Sequence, residues 1–102
     1  MIARSWSGKV PVDQADGFYR HLLATGISDY RAQPGCLDIG LWRRDADGWA
    51  IFTLTSLWQD MDSVRAYAGE RPDDAVLYPD DEVHGLVPDL TVQHHAVLDT
   101  AP

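Results

Sequence analysis

The residues of this chain that could carry chemistry are a handful of histidines, tyrosines and one arginine. His84 follows the acidic run Asp80-Asp81-Glu82. Carboxylates beside a histidine raise its pKa and orient its ring. That setting suits a general base or a hydrogen-bond partner for substrate, and equally a surface histidine in a charged loop. His94 and His95 are adjacent in a segment of strand character. Neighbouring strand side chains point to opposite faces, so the pair cannot chelate one metal together. His94 shares its face with Val92, Ala96 and Leu98, which makes it an inward-facing base or a hydrogen-bonded core histidine. Tyr67 and Tyr78 each carry a hydroxyl that needs a partner if buried. Arg4 shares a face with Trp6, so its guanidinium meets either a carboxylate or an anionic oxygen of a ligand. Trp6, Trp58 and Tyr78 could wall a flat slot for a planar aromatic, although core packing also uses such rings. The expected catalytic set is therefore His84, His94 and Tyr67, and the expected substrate-binding set is Trp58, Tyr78, Arg4 and Trp6. His21 and Ser56 complete a plausible polar lining without an assigned role.

No metal or cofactor is expected from the motifs. The acids at Asp80, Asp81 and Glu82 lack the spaced pattern of a calcium loop and read as a solvated or helix-capping cluster. No cysteine-histidine spacing suggests zinc. No glycine-rich phosphate loop or dinucleotide fingerprint is present.

Hydrophobic periodicity supplies the elements that must position these groups. Ile2 to Lys9 reads as a strand, with Ile2, Arg4 and Trp6 on one face. Beyond Pro11, a single helical stripe is formed by Ala15, Phe18, Tyr19, Leu22, Leu23 and Ile27, with Gly26 a place to end or bend it. Cys36 to Arg44 reads as a second strand with Leu37, Ile39 and Leu41 on its apolar face. Asp45-Ala46-Asp47-Gly48 is a hairpin loop. The third strand runs to Trp58. There Ile51, Thr53, Thr55 and Leu57 alternate against Ala50, Phe52, Leu54, Ser56 and Trp58, and both rows are largely apolar. Asp60 then caps a helix whose buried stripe is Met61, Val64, Tyr67 and Ala68. A single helical turn is expected around Asp73 to Leu77, between Pro72 and Pro79. Leu90 to Leu98 is the last strand. The order β-α-β-β-α-β is the ferredoxin-like arrangement, an α+β fold with an antiparallel sheet and one domain over residues 1–102.

In this arrangement both helices pack on one sheet face. One of the two apolar rows of the third strand, with whichever tryptophans share its face, is then left bare, and alternation alone does not say which. A face-to-face pairing of two sheets would cover it, so a homodimer is expected.

Composition narrows the partners. The 102 residues are 45% hydrophobic, which favours a folded domain over a disordered chain. The formal net charge is −8 and the pI about 4.6, so phosphate backbones and anionic membranes are repelled. Nucleic acid and membrane are not expected partners. Cys36 is the single cysteine, so no intrachain disulfide can form. The opening MIARSWSGKV has no long apolar core, and the expected location is the cytoplasm.

The chain resembles the antibiotic biosynthesis monooxygenase superfamily of dimeric α/β barrels. The resembling residues are the opening MIARSW, Asp29-Tyr30-Arg31-Ala32-Gln33-Pro34-Gly35-Cys36, Ser56-Leu57-Trp58 through Val64-Arg65-Ala66-Tyr67-Ala68-Gly69-Glu70, Tyr78-Pro79-Asp80-Asp81, and Val92-Gln93-His94-His95-Ala96-Val97. They span almost the whole chain. The resemblance implies one of several activities. Some members oxidise polycyclic phenols to quinones without a cofactor, others degrade haem, and others cyclise or isomerise. The haem-degrading members have an asparagine on the first strand, a tryptophan on the helix after the third strand and a histidine ligand further on. In this sequence those helix and ligand positions hold Tyr67 and Leu77-Tyr78, and the first strand has no asparagine.

Two readings follow. The first is cofactor-independent oxidation by oxygen of a small phenolic or quinol aromatic, with His84 or His94 as base and Tyr67, Tyr78 and Trp58 positioning the ring. A cyclase or isomerase could use the same pocket. The second is a dimeric small-molecule-binding or stress-related protein without catalysis.

Overall fold

The computed structural model describes residues 1–100. The first strand, β1 (Ile2–Pro11), alternates as its sequence requires, with Arg4, Gly8 and Val10 turned into the interior. A short 3-10 turn at Val12–Gln14 leads into helix α1 (Ala15–Ala24). The predicted single helical stripe is in fact two helices. Thr25 takes φ −115° and ψ −93°, which breaks the helical path, and its hydroxyl donates to the His21 carbonyl at 2.8 Å. Helix α2 (Gly26–Ala32) starts in a new direction and buries Ile27 and Tyr30. Tyr19, expected in the buried stripe, is 47% exposed; Ala15, Phe18 and Leu22 form that stripe.

Strands β2 (Cys36–Ala46) and β3 (Trp49–Trp58) form a hairpin. Its two-residue turn, Asp47-Gly48, has φ of 53° and 81°, the positive values that match the right-handed twist of the strands. Leu37 does not share a face with Ile39 and Leu41. A bulge between Cys36 and Asp38 inserts one residue, so Cys36 takes the inward position opposite Trp58 and Leu37 is 52% exposed. Helix α3 (Met61–Ala68) begins where Asp60 accepts hydrogen bonds from the Ser63 amide and hydroxyl, both at 2.8 Å. Those bonds hold the Asp60 carboxyl below the usual carboxylate range. The helix stops at Gly69, which has φ 87°.

Residues 69–80 then cross the molecule as a strap. No helical turn forms between Pro72 and Pro79, because the backbone there is paired to another segment. The Ala75 amide donates to the Leu90 carbonyl and the Val92 amide to the Asp73 carbonyl. The same bonds shorten the last strand. Residues 90–92 are occupied by the strap, so the predicted Leu90–Leu98 strand is reduced to its middle, β5 (Gln93–Ala96), which follows an unpredicted two-residue strand, β4 (Val87–Pro88); Leu98 is 94% exposed. A 3-10 turn at Asp81–His84 links the strap to β4.

All pairings are antiparallel, in the order β2-β3-β1 with β4 and β5 both on the far side of β1. This is the ferredoxin-like order expected from the sequence. The core lies between the sheet and the helices, where Val10, Phe52, Leu54 and Trp58 meet Phe18, Leu22, Ile27, Tyr30 and Val64. On the other side Ile51, Thr53, Thr55 and Leu57 are only half-buried, and Trp42 is 63% exposed. No helix among the described residues is long and apolar enough to cross a membrane.

Candidate active site

Strand alternation places Arg4 on the helix-facing side of β1, next to β5. It is 2% exposed. Its Nη1 donates to the Pro72 carbonyl at 2.6 Å and to His94 Nε2 at 2.9 Å, and its Nε reaches the Tyr30 hydroxyl at 3.4 Å. A guanidinium can only donate, so His94 Nε2 is the acceptor and the ring proton sits on Nδ1. That Nδ1 donates to Asp73 at 2.8 Å. His94 is thus bonded on both nitrogens and holds Arg4 in place. His95 lies on the opposite sheet face and is exposed.

Helix α3 brings Tyr67 above Arg4, with the guanidinium carbon 5.8 Å from the ring centroid. The strap delivers Tyr78 to the same place. The Tyr78 hydroxyl donates to Asp29 at 2.8 Å, and the two tyrosine hydroxyls are 2.7 Å apart. Since Tyr78 gives its proton to Asp29, Tyr67 is the donor to Tyr78. The result is a directed chain from Tyr67 through Tyr78 to the exposed carboxylate of Asp29 on α2. Both phenols are pushed well above the usual tyrosine range. Burial is the main cause for each. Nearby Tyr30 adds to it for Tyr67, while the bond to Asp29 adds to it for Tyr78.

Arg4, Trp6, Leu22, Tyr30, Leu54, Tyr67, Tyr78 and Val92 surround a cavity of about 30 Å³, roofed by Val76 and Leu77 of the strap. This is room for about one water molecule. A planar ligand enters only if the strap side chains move aside. Trp6 belongs to the wall and donates its indole N–H to the Asp89 carbonyl at 2.8 Å.

The structure therefore brings together four of the seven expected residues, Arg4, Trp6, Tyr67 and Tyr78, as cavity wall. Trp58 is apart from them. It is completely buried, donates to Ser56 Oγ at 2.8 Å, and packs edge-on against Tyr30 at 5.5 Å. It supports the wall from behind. His84 also lies outside the lining. It packs on α1 over Gly17, with its ring 6.0 Å from Phe18 and 5.1 Å from His21. The acidic partner expected for His84 goes to His21 instead. Asp81 bonds His21 Nε2 at 2.6 Å and the Tyr78 amide at 2.8 Å, so it anchors the strap to α1. A Cβ at Gly17 would stand 3.2 Å from His84 Nδ1, so the glycine allows this approach. Asp29, Asp73, Asp81 and Tyr30 were absent from the expected set. The tyrosine hydroxyls, flagged for needing partners, were the signal that could have led to Asp29.

An open groove of about 440 Å³ lies elsewhere, between α1, α2 and the edge strand β2, where Leu23, Ile27, Ile39, Leu41 and Arg31 form much of its surface. It holds none of the paired polar groups described above.

No family model and no curated protein matches the sequence. Solved structures do. A candidate antibiotic biosynthesis monooxygenase from Deinococcus radiodurans superposes with a TM-score of 0.67, covering 100% of this chain and 97% of its own, at 16% identity. The chain has the antibiotic biosynthesis monooxygenase fold. MhuD, crystallised with two manganese protoporphyrin IX molecules per active site, gives 0.66 over 100% of this chain and 99% of its own, at 15% identity. SnoaB from Streptomyces nogalater, a cofactor-independent oxygenase, gives 0.55 over 98% and 97%, at 18% identity. Porphyrin is thus a ligand found on this fold, and the cavity residues can be tested for it. Haem iron takes an axial histidine, cysteine, methionine or tyrosinate. The cavity wall has no histidine, cysteine or methionine. The Tyr67 and Tyr78 phenols resist ionisation and are bonded to each other and on to Asp29, and the Tyr30 hydroxyl is bonded to Arg4. These residues do not fit haem ligation.

Proposed function

We propose that this protein is a cofactor-independent oxygenase of small phenolic or quinol aromatics, working as a homodimer. The observation that carries the reading is the directed chain Tyr67–Tyr78–Asp29, which leads from the cavity to solvent beside the buried guanidinium of Arg4. A phenol seated against Tyr67 can give its proton to the Tyr67 oxygen while Tyr67 protonates Tyr78 and Tyr78 protonates Asp29. Neither tyrosine has to exist as a free phenolate, which agrees with their raised pKa values. Arg4 stabilises the substrate anion that remains.

The anion is electron-rich enough to pass one electron to oxygen. Radical and superoxide combine at the activated ring carbon to form a C–O bond. The peroxide takes up a proton and loses water to leave a carbonyl. One oxygen atom enters the product, the other leaves as water, and the phenolic O–H and the C–H at the oxidised ring carbon supply the two hydrogens of that water. SnoaB, with the same fold, is described as a cofactor-independent oxygenase, which supports the reading. The test is oxygen uptake with anthrone-type and naphthol-type phenols. One oxygen consumed per quinone formed is expected. No uptake across the panel would leave ligand binding without oxidation as the function.

The dimer rests on the uncovered sheet face. Ile51, Thr53, Thr55 and Leu57 of β3 share it with Trp42, whose indole lies over Gly40 and donates to Thr55 Oγ1 at 3.1 Å. An indole so fixed loses little freedom on being covered. Burying roughly 500 Å² of apolar surface at about 25 cal/mol per Å² contributes on the order of 10 kcal/mol before association costs. Sedimentation at micromolar concentration is expected to show the dimer, and Leu57→Glu to give monomers. A wild-type monomer at that concentration would remove the dimer from the proposal.

A further inference from the structure

Arg4 raises a question that the proton chain does not answer. A guanidinium at 2% exposure carries a full charge out of water, and no carboxylate touches it. Buried charges are ordinarily paired. Its partners here are a carbonyl, a tyrosine hydroxyl and the lone pair of His94. Asp73 stands beyond His94, with its side chain 78% exposed, where water screens it. The acids nearest the cavity are already committed, Asp81 to His21 and the Tyr78 amide, and Asp29 to the Tyr78 hydroxyl. Among the described residues no fully buried side-chain nitrogen or oxygen lacks a partner, so Nη2 of Arg4, which makes no hydrogen bond, is the part of the guanidinium that keeps contact with solvent, and Arg4 is part of the cavity wall. His94, bonded to Asp73, fixes Nη1 and leaves the other edge of the fork for something else.

We infer that the ligand of this cavity arrives as an anion, with a planar oxyanion that pairs with Arg4 and an aromatic body that displaces Val76 and Leu77 of the strap while Tyr78 keeps its bond to Asp29. Two sources have that chemistry: a carboxylate, and the ionised hydroxyl of a vinylogous acid such as a hydroxyquinone. Both carry an anionic oxygen that can accept from the free Nη2 of Arg4. The inference rests on the proposed oxygenase cavity being the ligand site and names the substrate class within it, acidic rather than neutral phenols.

The experiment is anaerobic titration of the wild-type protein, read by tryptophan fluorescence and calorimetry, with probes of one shape. Naphthalene-1-carboxylate is expected to bind at least tenfold more tightly than naphthalene-1-carboxamide. The anion of 2-hydroxy-1,4-naphthoquinone, compared with 1,4-naphthoquinone, reports on the second source, and preference for either anion supports the inference. Equal or tighter binding of both neutral probes overturns it. Arg4→Gln is expected to abolish the preference and Arg31→Gln, in the open groove, to preserve it. The reverse result assigns the anion to the groove and also overturns the inference. Should Arg4→Gln fail to fold, the wild-type series and Arg31→Gln still decide. None of the probes has to be oxidised for this reading, so an anion preference without oxygen uptake on phenols, ring-carboxylated naphthols included, would sink the oxygenase and leave the anion site standing.

Discussion

Replacing Trp58 with alanine is expected to lower the free energy of unfolding by about 3–5 kcal/mol. The indole is completely buried between β3, α2 and α3, against Tyr30 at 5.5 Å and Tyr67 at 5.8 Å. Its removal leaves a void that these rings cannot fill without leaving their rotamers. It also strips the buried Ser56 hydroxyl of its donor, a further cost of about 1 kcal/mol. Urea unfolding at fixed protein concentration measures the loss, since dimerisation would make stability concentration-dependent. Leu90→Ala is the matched control. Leu90 is 69% exposed, so the change should stay within about 0.5 kcal/mol. A loss below about 1 kcal/mol for Trp58→Ala would mean that Trp58 is not a central support of the cavity wall.

The second large effect is on turnover. Tyr78→Phe cuts the proton chain while keeping the ring that fills the cavity wall. The Tyr67 hydroxyl then loses its acceptor and the route to solvent ends. Oxygen uptake is expected to fall by about 10²-fold in kcat, the usual range for a lost acid-base group. Asp29→Asn is the sharper companion. Its amide oxygen still accepts from Tyr78, but the group cannot take the proton. A fall in kcat with little change in KM is the expected signature. Unchanged kcat in both variants would show that the proton leaves by another route and would remove the tyrosine chain from the proposal.

How far the site was legible depends on what each residue needed to declare itself. Arg4, Trp6, Tyr67 and Tyr78 stood out because polar or aromatic groups on buried faces must be accounted for. The hairpin at Asp47-Gly48 and the cap at Asp60 were legible for a local reason, since each is decided by backbone angles or bonds within a few residues. His84 misled, because its neighbours in sequence are three acids while its neighbours in space are Phe18, His21 and Gly17. The bulge at Leu37 was invisible, since alternation assumes that no residue is inserted.

The sequence by itself determined the antiparallel α+β order, the two alternating rows of β1 and of β3, and an excess of apolar surface on β3. These follow from side-chain periodicity, which backbone geometry imposes locally. Which row faces the helices is seen only in the folded chain. Only the tertiary structure decided that Thr25 splits the first helix, that residues 90–92 pair with the strap instead of extending the last strand, and that Asp29 terminates the tyrosine chain. The last two depend on pairing between partners distant in the chain, whereas the break at Thr25 is held by local bonds to His21 and Leu22 that side-chain periodicity does not register. Tyr78 and Asp29 stand 49 positions apart, and Arg4 and His94 are separated by 90. Pattern cannot rank such pairings, because their strength comes from burial and from geometry that exists only once the sheet and helices have closed around them.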